Sequence, residues 1–488
     1  GVEGARMIPR PNSKAIDRKR RLALPVAELP IRSAADRVAD FGEAYGSWDL
    51  ETARAEAERC IQCPAVPCVK ACPLGNDIPY ALWLLEHGDV SGAAGIFRST
   101  STMPEICGRV CPQSELCEGV CPYTKQGRPP VPIGRLEAFV TDRELPPPLE
   151  PAPSTGHRAA VAGAGPAGLT VAELLRERGH DVVVFDAWPA GGGILRYGIP
   201  SFKMSHRLVV EKTDRLTAAG VTFVYDTVIE RDVTVDDLFD QGFETVFLGI
   251  GAGVPRSPAI EGADLPGVEH ATPFLVRANV ELGLRPDSLA DPATVGRRVA
   301  VIGGGDTAMD CVRTALRLSA ADVTCWYRRT EAEMPGNPRD RTMARQEGAD
   351  FEWLVQPVRF VAGPEGRVAT MHCVRMSLGE ADASGRRRPI EVPGSDFVVD
   401  VDTIILALGY SADRDTVGGV TGLDTDQADR LTIDPESGAT SREGVDAGGD
   451  AVLGPALVVT AIEQARRAAD AMHRHMTGGV ETGTGWDA

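Results

Sequence analysis

Two short cysteine runs constrain this chain more than anything else in it. Eight of its eleven cysteines stand at Cys60, Cys63, Cys68, Cys72 and at Cys107, Cys111, Cys117, Cys121. The first run reads CxxCxxxxCxxxC and the second CxxxCxxxxxCxxxC. A proline directly follows Cys72, Cys111 and Cys121, which stops the chain from continuing as helix. Close-spaced thiolates are the ligands that hold iron-sulfur clusters. Two other uses compete: zinc binds paired CxxC-like knuckles, and clustered cysteines staple small secreted domains as disulfides. The disulfide use fits badly, because no charged-then-apolar leader opens the sequence and 488 residues can bury a core without staples. Two clusters of the 4Fe-4S type are the expectation.

The rest of the chain suits a multidomain enzyme. At 43% hydrophobic and 25% charged residues, it has the composition of a soluble globular protein of about three domains. No apolar run reaches the roughly 18 residues that a membrane span requires, and a net charge of -18 argues against nucleic acid as a partner. A cytoplasmic location is expected. The one basic stretch, Lys14 with Arg18 to Arg21, reads most simply as a solvated tail, with partner docking as the lesser use.

Residues 35 to 142 carry helical patterns interrupted by the cysteine loops, which predicts a mainly α-helical iron-sulfur domain within 1–150. The proline-rich stretch PPPLEPAP then predicts a stiff connector. After it, RAAVAGAGPAGLTVAELLRERGHDVVVFD supplies strand, glycine turn, helix and a second strand ending in an acid. In this Rossmann fingerprint Gly163 permits the turn, Gly165 lets backbone approach a pyrophosphate, Gly168 lets helix and strand pack, and Asp186 receives a ribose. A second copy, RRVAVIGGGDTAMDCVRTALRLSAADVTCWYRR, has Gly303, Gly305 and then Ala308 in the third position. Its second strand ends on Arg328 and Arg329, where a carboxylate would repel a 2'-phosphate and a guanidinium would bind it. NADPH is therefore preferred over NADH, unless the two arginines are an exposed surface pair. Later, Gly449 and Asp450 precede a helix whose N-terminus would face a flavin. The fold class is α/β, with two nested Rossmann-like domains behind the helical one: FAD-binding residues 157–290, NADPH-binding residues 291–405, and a returning flavin part, 406–488. VFLGIGAG at 246 to 253 and IILALGY at 404 to 410 are the expected crossings between them. Cys311, Cys325 and Cys373 read as buried core thiols, and the HRH near the C-terminus as part of a solvated tail.

With both runs and both fingerprints read, the chain resembles the small (beta) subunit family of NADPH-dependent glutamate synthase. The likeness is closest at PEICGRVCPQSELCEGVCP, GGGILRYGIPSFKM, VIGGGDTAMDCVRTALR, YRRTEAEMPG and AGGD. The same architecture occurs in the N-terminal half of dihydropyrimidine dehydrogenase and in the flavin subunit of ferredoxin-dependent NADP transhydrogenases. The resemblance implies FAD held by Gly163, Gly165, Gly168, Asp186, Gly193, Lys203 and Asp450. It implies NADPH held by Gly304, Gly305, Asp306, Thr307, Arg328 and Arg329. It also implies one cluster on Cys60, Cys63 and Cys68, and another on Cys72, Cys111, Cys117 and Cys121. The fourth ligand of the first cluster stays open between Glu137, which matches a ligating glutamine of dihydropyrimidine dehydrogenase, and Cys107. Lys203 stands where two of these relatives carry arginine, and a compact ammonium presents one charge rather than a fork.

The function this implies is electron transfer from NADPH through FAD and two clusters to a partner, without a protein acid or base in the chemistry. A glutamate-synthase large subunit is the favoured partner in a hetero-oligomer. A ferredoxin-linked transhydrogenase subunit, or a stand-alone oxidoreductase for sulfur-type acceptors, is the alternative. The chain has no room for the glutaminase and FMN domains that make glutamate, and no nucleophile elbow, P-loop or HExxH site.

Overall fold

The computed structural model describes residues 8–12, 14–381 and 385–479, so the outermost parts of the expected domains at 1–150 and 406–488 lie outside the described residues. Nine short helices, from Arg18–Leu22 to Ile133–Arg143, build the N-terminal part among the described residues. Ser33, Asp49, Asp77 and Asp89 start four of them by accepting a backbone N–H of the first turn. Proline has two uses here. Cys72 and Cys111 end helices in extended conformation, as the residue before a proline is pushed to do. After Cys121 the expected stop is instead a start, because Pro122 is the first residue of the helix Pro122–Lys125.

The connector is laid down rather than free. Leu149 is buried in the flavin-side core, and the Ala152 amide donates to the Glu177 carbonyl at 2.9 Å. The basic stretch is only partly solvated: Lys14, Lys19 and Arg20 are exposed, but Arg21 is buried, with its guanidinium on the Cys60 carbonyl at 2.9 Å and on Glu86 at 2.6 Å.

Two five-stranded parallel sheets follow. The first runs Val445–Ala447, Thr245–Leu248, Arg158–Ala162, Asp181–Phe185, Thr222–Val224 across its width. The second runs Val268–His270, Thr403–Leu406, Arg298–Ile302, Asp322–Tyr327, Asp350–Trp353. Each fingerprint strand is central, and its apolar residues are covered on both faces, as parallel strands require. The strand Val268–His270 belongs to the second sheet, which corrects the assignment of all of 157–290 to the flavin domain. The two sheets meet at a ribbon in which Val254–Pro255 pairs antiparallel with Tyr410–Ser411, directly beyond the two expected crossings. A feature the sequence reading missed is an antiparallel sheet of Val355–Ala362, Val368–Ala381, Arg387–Glu391 and Phe397–Asp400, inserted before the last strand of the second sheet. The C-terminal helix Val458–Thr477 packs on the first fingerprint helix, Pro166–Glu177. His473 lies in that contact, buried, with its Nδ1 2.7 Å from Nε2 of His180, so HRH is not a solvated tail.

Candidate functional site

The first glycine turn has the shape of a phosphate cradle. Gly163 sits at φ 97°, and a Cβ there would collide with the Gly249 carbonyl; a Cβ on Gly168 would fall onto the Gly163 carbonyl. Gly165 is different: the nearest atom to its Cβ position is the Cα of Gly193, at 3.9 Å. That leaves backbone open in front of the N-terminus of the twelve-residue helix Pro166–Glu177, where amides and dipole favour an anion. Asp186 ends the second strand, with its carboxylate accepting from the amides of Ala164 at 2.6 Å and Trp188 at 2.9 Å. Burial pushes it up to about 6. The returning segment reaches the same place, because a Cβ on Gly449 would stand 3.2 Å from that of Ala167. There Asp450 accepts from the Ala456 amide at 3.1 Å, and burial also pushes it up to about 6. Gly163, Gly165, Gly168, Asp186, Gly193, Gly449 and Asp450 thus surround one crevice, and its open backbone and buried carboxylates fit a flavin dinucleotide.

The second turn repeats the shape. Gly303 lies at φ 147° against the Ala407 carbonyl, and Gly305 has nothing within 4 Å of its Cβ position. Gly304 is required by packing, since a Cβ would come within 2.5 Å of the Tyr327 ring. Asp306 accepts from the Asn337 amide at 2.7 Å, and Gly336 donates to the Gly304 carbonyl at 3.0 Å, so the MPG loop closes over the turn. Thr307 is bonded to Tyr410 of the crossing ribbon. The two arginines are not equivalent. Arg328 is exposed at the strand end, whereas Arg329 is buried and donates to the Arg387 carbonyl at 2.7 Å. Arg328 is thus the one open to solvent, while Arg329 ties the strand to the inserted antiparallel sheet.

Lys203 stands where the two halves meet. Its Nζ is 2.9 Å from Asp310 and 3.1 Å from Asp340, both on helices of the nicotinamide side. These carboxylates raise the ammonium against the opposing effect of burial. The same junction holds Arg313, bidentate on Glu347 at 2.9 and 3.0 Å, and Arg37 of the N-terminal part, 3.2 Å from Glu347. No local pattern announces this network, because its partners are scattered along the chain.

The eight thiols fall into two sets of neighbours, and Cys121 of the second run lies beside the first run. All eleven cysteines are free, which removes the disulfide use. Burial is the main cause that raises Cys60, and Cys68, Cys63 and Cys121 add to it through their charge. Cys68, pushed up to about 12 by burial, also feels Cys63 and Cys121. Cys121 lies with Cys60 and Cys68 in one apolar core, which also takes in Cys117 and Cys72. Cys72 feels Glu137 and Cys107, and Cys111 is hydrogen-bonded to Cys107 and feels Glu137 and Cys117. Glu137 is buried, lifted well above the usual carboxylate range by burial and then by Cys107, and its Oε1 has no hydrogen-bond partner among the described residues. The question between Glu137 and Cys107 thus moves to the second set, beside Cys72, Cys111 and Cys117. Among the described residues no three Cys, His, Asp or Glu side chains converge on a point that would hold a single metal ion. Two sets of buried and half-buried cysteines, one beside an orphaned carboxyl oxygen, fit iron-sulfur clusters.

Paired parallel sheets with a thiol-bearing helical domain in front define a pyridine-nucleotide oxidoreductase with an iron-sulfur domain. Residues 37–146 match the family model described as dihydropyrimidine dehydrogenase domain II, 4Fe-4S cluster, and residues 157–465 match pyridine nucleotide-disulphide oxidoreductase. The glutamate synthase NADPH small chain of Escherichia coli is 39% identical over 444 residues, covering 89% of this chain and 93% of that one. This chain belongs to the glutamate synthase small-chain family, and it is an NADPH-dependent FAD and iron-sulfur oxidoreductase of that type. It is also 40% identical over 457 residues to the putative oxidoreductase AegA of Escherichia coli (90% of this chain, 69% of that one). The NADPH-Fe(3+) oxidoreductase subunit beta of Geobacter sulfurreducens is 35% identical over 451 residues (87% and 66%). Mycobacterium tuberculosis FprA in complex with NADPH shares the fold, with a TM-score of 0.55 at 18% identity over 67% of this chain and 85% of that one. No helix among the described residues is long and apolar enough to cross a membrane.

Proposed function

We propose that this chain takes electrons from NADPH and passes them through FAD and two 4Fe-4S clusters to a large partner subunit of the glutamate-synthase type, in a hetero-oligomer. One observation carries the order. Cys107, with Cys72 and Cys111 against it, packs into the same apolar core as Ala164, Ala167 and Leu169 of the flavin fingerprint. Cys117 and Cys121, with Cys60, Cys68 and Cys72, pack into a core made only of the N-terminal domain, so Cys72 touches both cores while Cys60, Cys68 and Cys121 touch only this one. The set containing Cys72 is therefore proximal to the flavin, and the set containing Cys60 is distal.

When bound, FAD accepts a two-electron hydride and can release electrons singly to clusters that carry one at a time. The protein's part is placement. Gly165 and Gly305 offer backbone to the two pyrophosphates, Asp186 and Asp450 line the flavin crevice, and Arg328 meets the 2'-phosphate. Lys203 holds the nicotinamide half against the flavin half. Cys60, Cys63, Cys68 and Cys121 hold one cluster; Cys72, Cys111 and Cys117 hold the other, with Glu137 or Cys107 completing it. A differently partnered member remains the second reading, supported by the likeness to the NADPH-Fe(3+) oxidoreductase subunit.

Anaerobic preparation and loading should give about eight irons and eight labile sulfides per chain. Four or fewer irons in fully loaded protein would defeat the two-cluster reading. Anaerobic co-purification from the native host should bring down a large amidotransferase-bearing subunit, and a small iron-sulfur carrier in its place would favour the second reading.

A further inference from the structure

We propose that the surface over the distal thiol set is a basic docking face for an acidic protein, the electron-accepting partner. This rests on the electron path above. Three segments meet there. The helix Arg18–Leu22 lies on the first cysteine loop, where Arg18 donates to the Gln62 carbonyl at 3.2 Å and Arg21 to the Cys60 carbonyl at 2.9 Å. Tyr123 ties in the chain after Cys121, because its hydroxyl bonds the carbonyls of both Arg21 and Arg59 at 2.9 Å. The distal loop, the basic helix and residues 121–130 are thus one continuous surface.

Its charge runs against that of the molecule. Residues 8–22 hold six cations and one carboxylate, Asp17, while residues 59–72 hold Arg59 and Lys70 with no carboxylate, and residues 121–130 hold Lys125 and Arg128 with none. The carboxylates on neighbouring segments pair with arginines of this face, Asp77 with Arg10, Glu58 with Arg20, Glu86 with Arg21 and Glu56 with Arg59, so the lysines carry the surplus charge. Asp17 caps the basic helix. Lys19, Lys70 and Lys125 are exposed. In a chain of net charge -18, a cationic face concentrated over cluster thiols selects an acidic partner there and repels a second copy elsewhere. The short distance that electron transfer requires and the attraction that brings a partner in coincide at one place.

The test uses loaded holoprotein and a triple variant, Lys19→Glu with Lys70→Glu and Lys125→Glu. The probe is an oxidised, fluorescently labelled, acidic plant-type 2Fe-2S ferredoxin, with basic cytochrome c as the opposite-charge control. Binding is read by anisotropy across a salt series, so it needs no electron flow. Wild type should bind ferredoxin more tightly than cytochrome c and lose affinity as salt rises. The variant should bind ferredoxin at least about tenfold more weakly at low salt, with a flattened salt dependence. NADPH-driven reduction of menadione, which draws on the flavin half, should be unchanged. If the glutamates prevent cluster loading, the triple Lys→Gln variant should show the same direction with a smaller fall.

Equal affinity and equal salt dependence in wild type and variant would overturn the proposal. So would no ferredoxin binding by wild type at low salt, or tighter binding of cytochrome c. Loss of binding to a short DNA duplex, with ferredoxin binding untouched, would assign the face to nucleic acid and overturn it equally. The electron path is judged separately, by low-temperature EPR after NADPH addition. Clusters that stay oxidised while the flavin bleaches would sink that path and leave the binding result to stand or fall alone.

Discussion

The two dinucleotide sheets are built to one plan and finished differently. Both place the fingerprint strand at the centre and open a backbone gap at Gly165 or Gly305. They part at the third fingerprint position: Gly168 has no space for a methyl, whereas Ala308 is accepted, fully buried, after a turn that starts at φ 147° rather than 97°. They part again at the end of the second strand. The flavin side closes on a carboxylate held by two backbone amides, and the nicotinamide side on one exposed and one buried guanidinium. The difference teaches that the glycines build the cradle while the strand end chooses the ligand, so the two can be broken independently.

The largest effects should come from the shared plan. Gly163→Ala and Gly303→Ala each force a side chain into left-handed backbone and onto a carbonyl, at about 1–3 kcal/mol for the backbone alone with the overlap added. Gly163→Ala should abolish flavin retention, read as loss of yellow colour on gel filtration. Gly303→Ala should leave the flavin bound and abolish its reduction by NADPH. If both lose flavin together, the halves are not independent.

Next is the junction. Lys203→Met strands Asp310 in a buried site, while Asp340 keeps Arg313 at 3.1 Å; removing one partner of a buried pair costs about 3–5 kcal/mol. Chemical denaturation should show the loss, and adding Asp310→Asn should recover part of it. No recovery would mean that Lys203 acts on the flavin rather than between the halves.

Strand-end choice comes third. A charged hydrogen bond to phosphate contributes about 1.5–3 kcal/mol, so Arg328→Ala should weaken NADPH by roughly ten- to hundredfold and leave NADH almost untouched. Arg329→Ala should lower stability and affect both nucleotides alike. Anaerobic flavin reduction at several concentrations of each nucleotide separates these outcomes.

The smallest effect is one of pH. His180 is held neutral, down to about 4, mainly by burial and then by His473. Its folded value lies below the ordinary 6.5, so the unfolded chain binds the extra proton. Stability is therefore full above pH 6.5 and falls as pH drops toward 4, by about 1.4 kcal/mol one unit below 6.5. Acid should loosen the C-terminal helix from the flavin half before the nicotinamide half responds, as hydrogen exchange can follow. A His180→Phe chain with an unchanged acid profile would clear the histidines of this role.

What could be read from the sequence follows the reach of local patterns. Both fingerprints, the cysteine runs and the return at Gly449 and Asp450 announce themselves within about 30 residues, because strand, turn and helix are local. Proximity among the thiols is not readable: Cys121 lies beside a loop some 60 residues upstream, where Pro122 starts a helix that lands Tyr123 on the Arg59 carbonyl. Arg328 and Arg329 look alike as letters, and burial of the second depends on a sheet that forms 60 residues later. The basic stretch looked solvated because its partners, Gln62, Cys60 and Glu86, are far along the chain.

The crossing ribbon has a consequence for rebuilding the enzyme. The Arg256 amide donates to the Gly409 carbonyl at 3.0 Å, so the nicotinamide half leaves and re-enters its host side by side, as a cassette plugged in at one socket. A cassette with another nucleotide preference can be spliced between those two residues without stretching the flavin sheet. The graft must bring carboxylates to the places of Asp310 and Asp340, because Lys203 on the host side works as the latch.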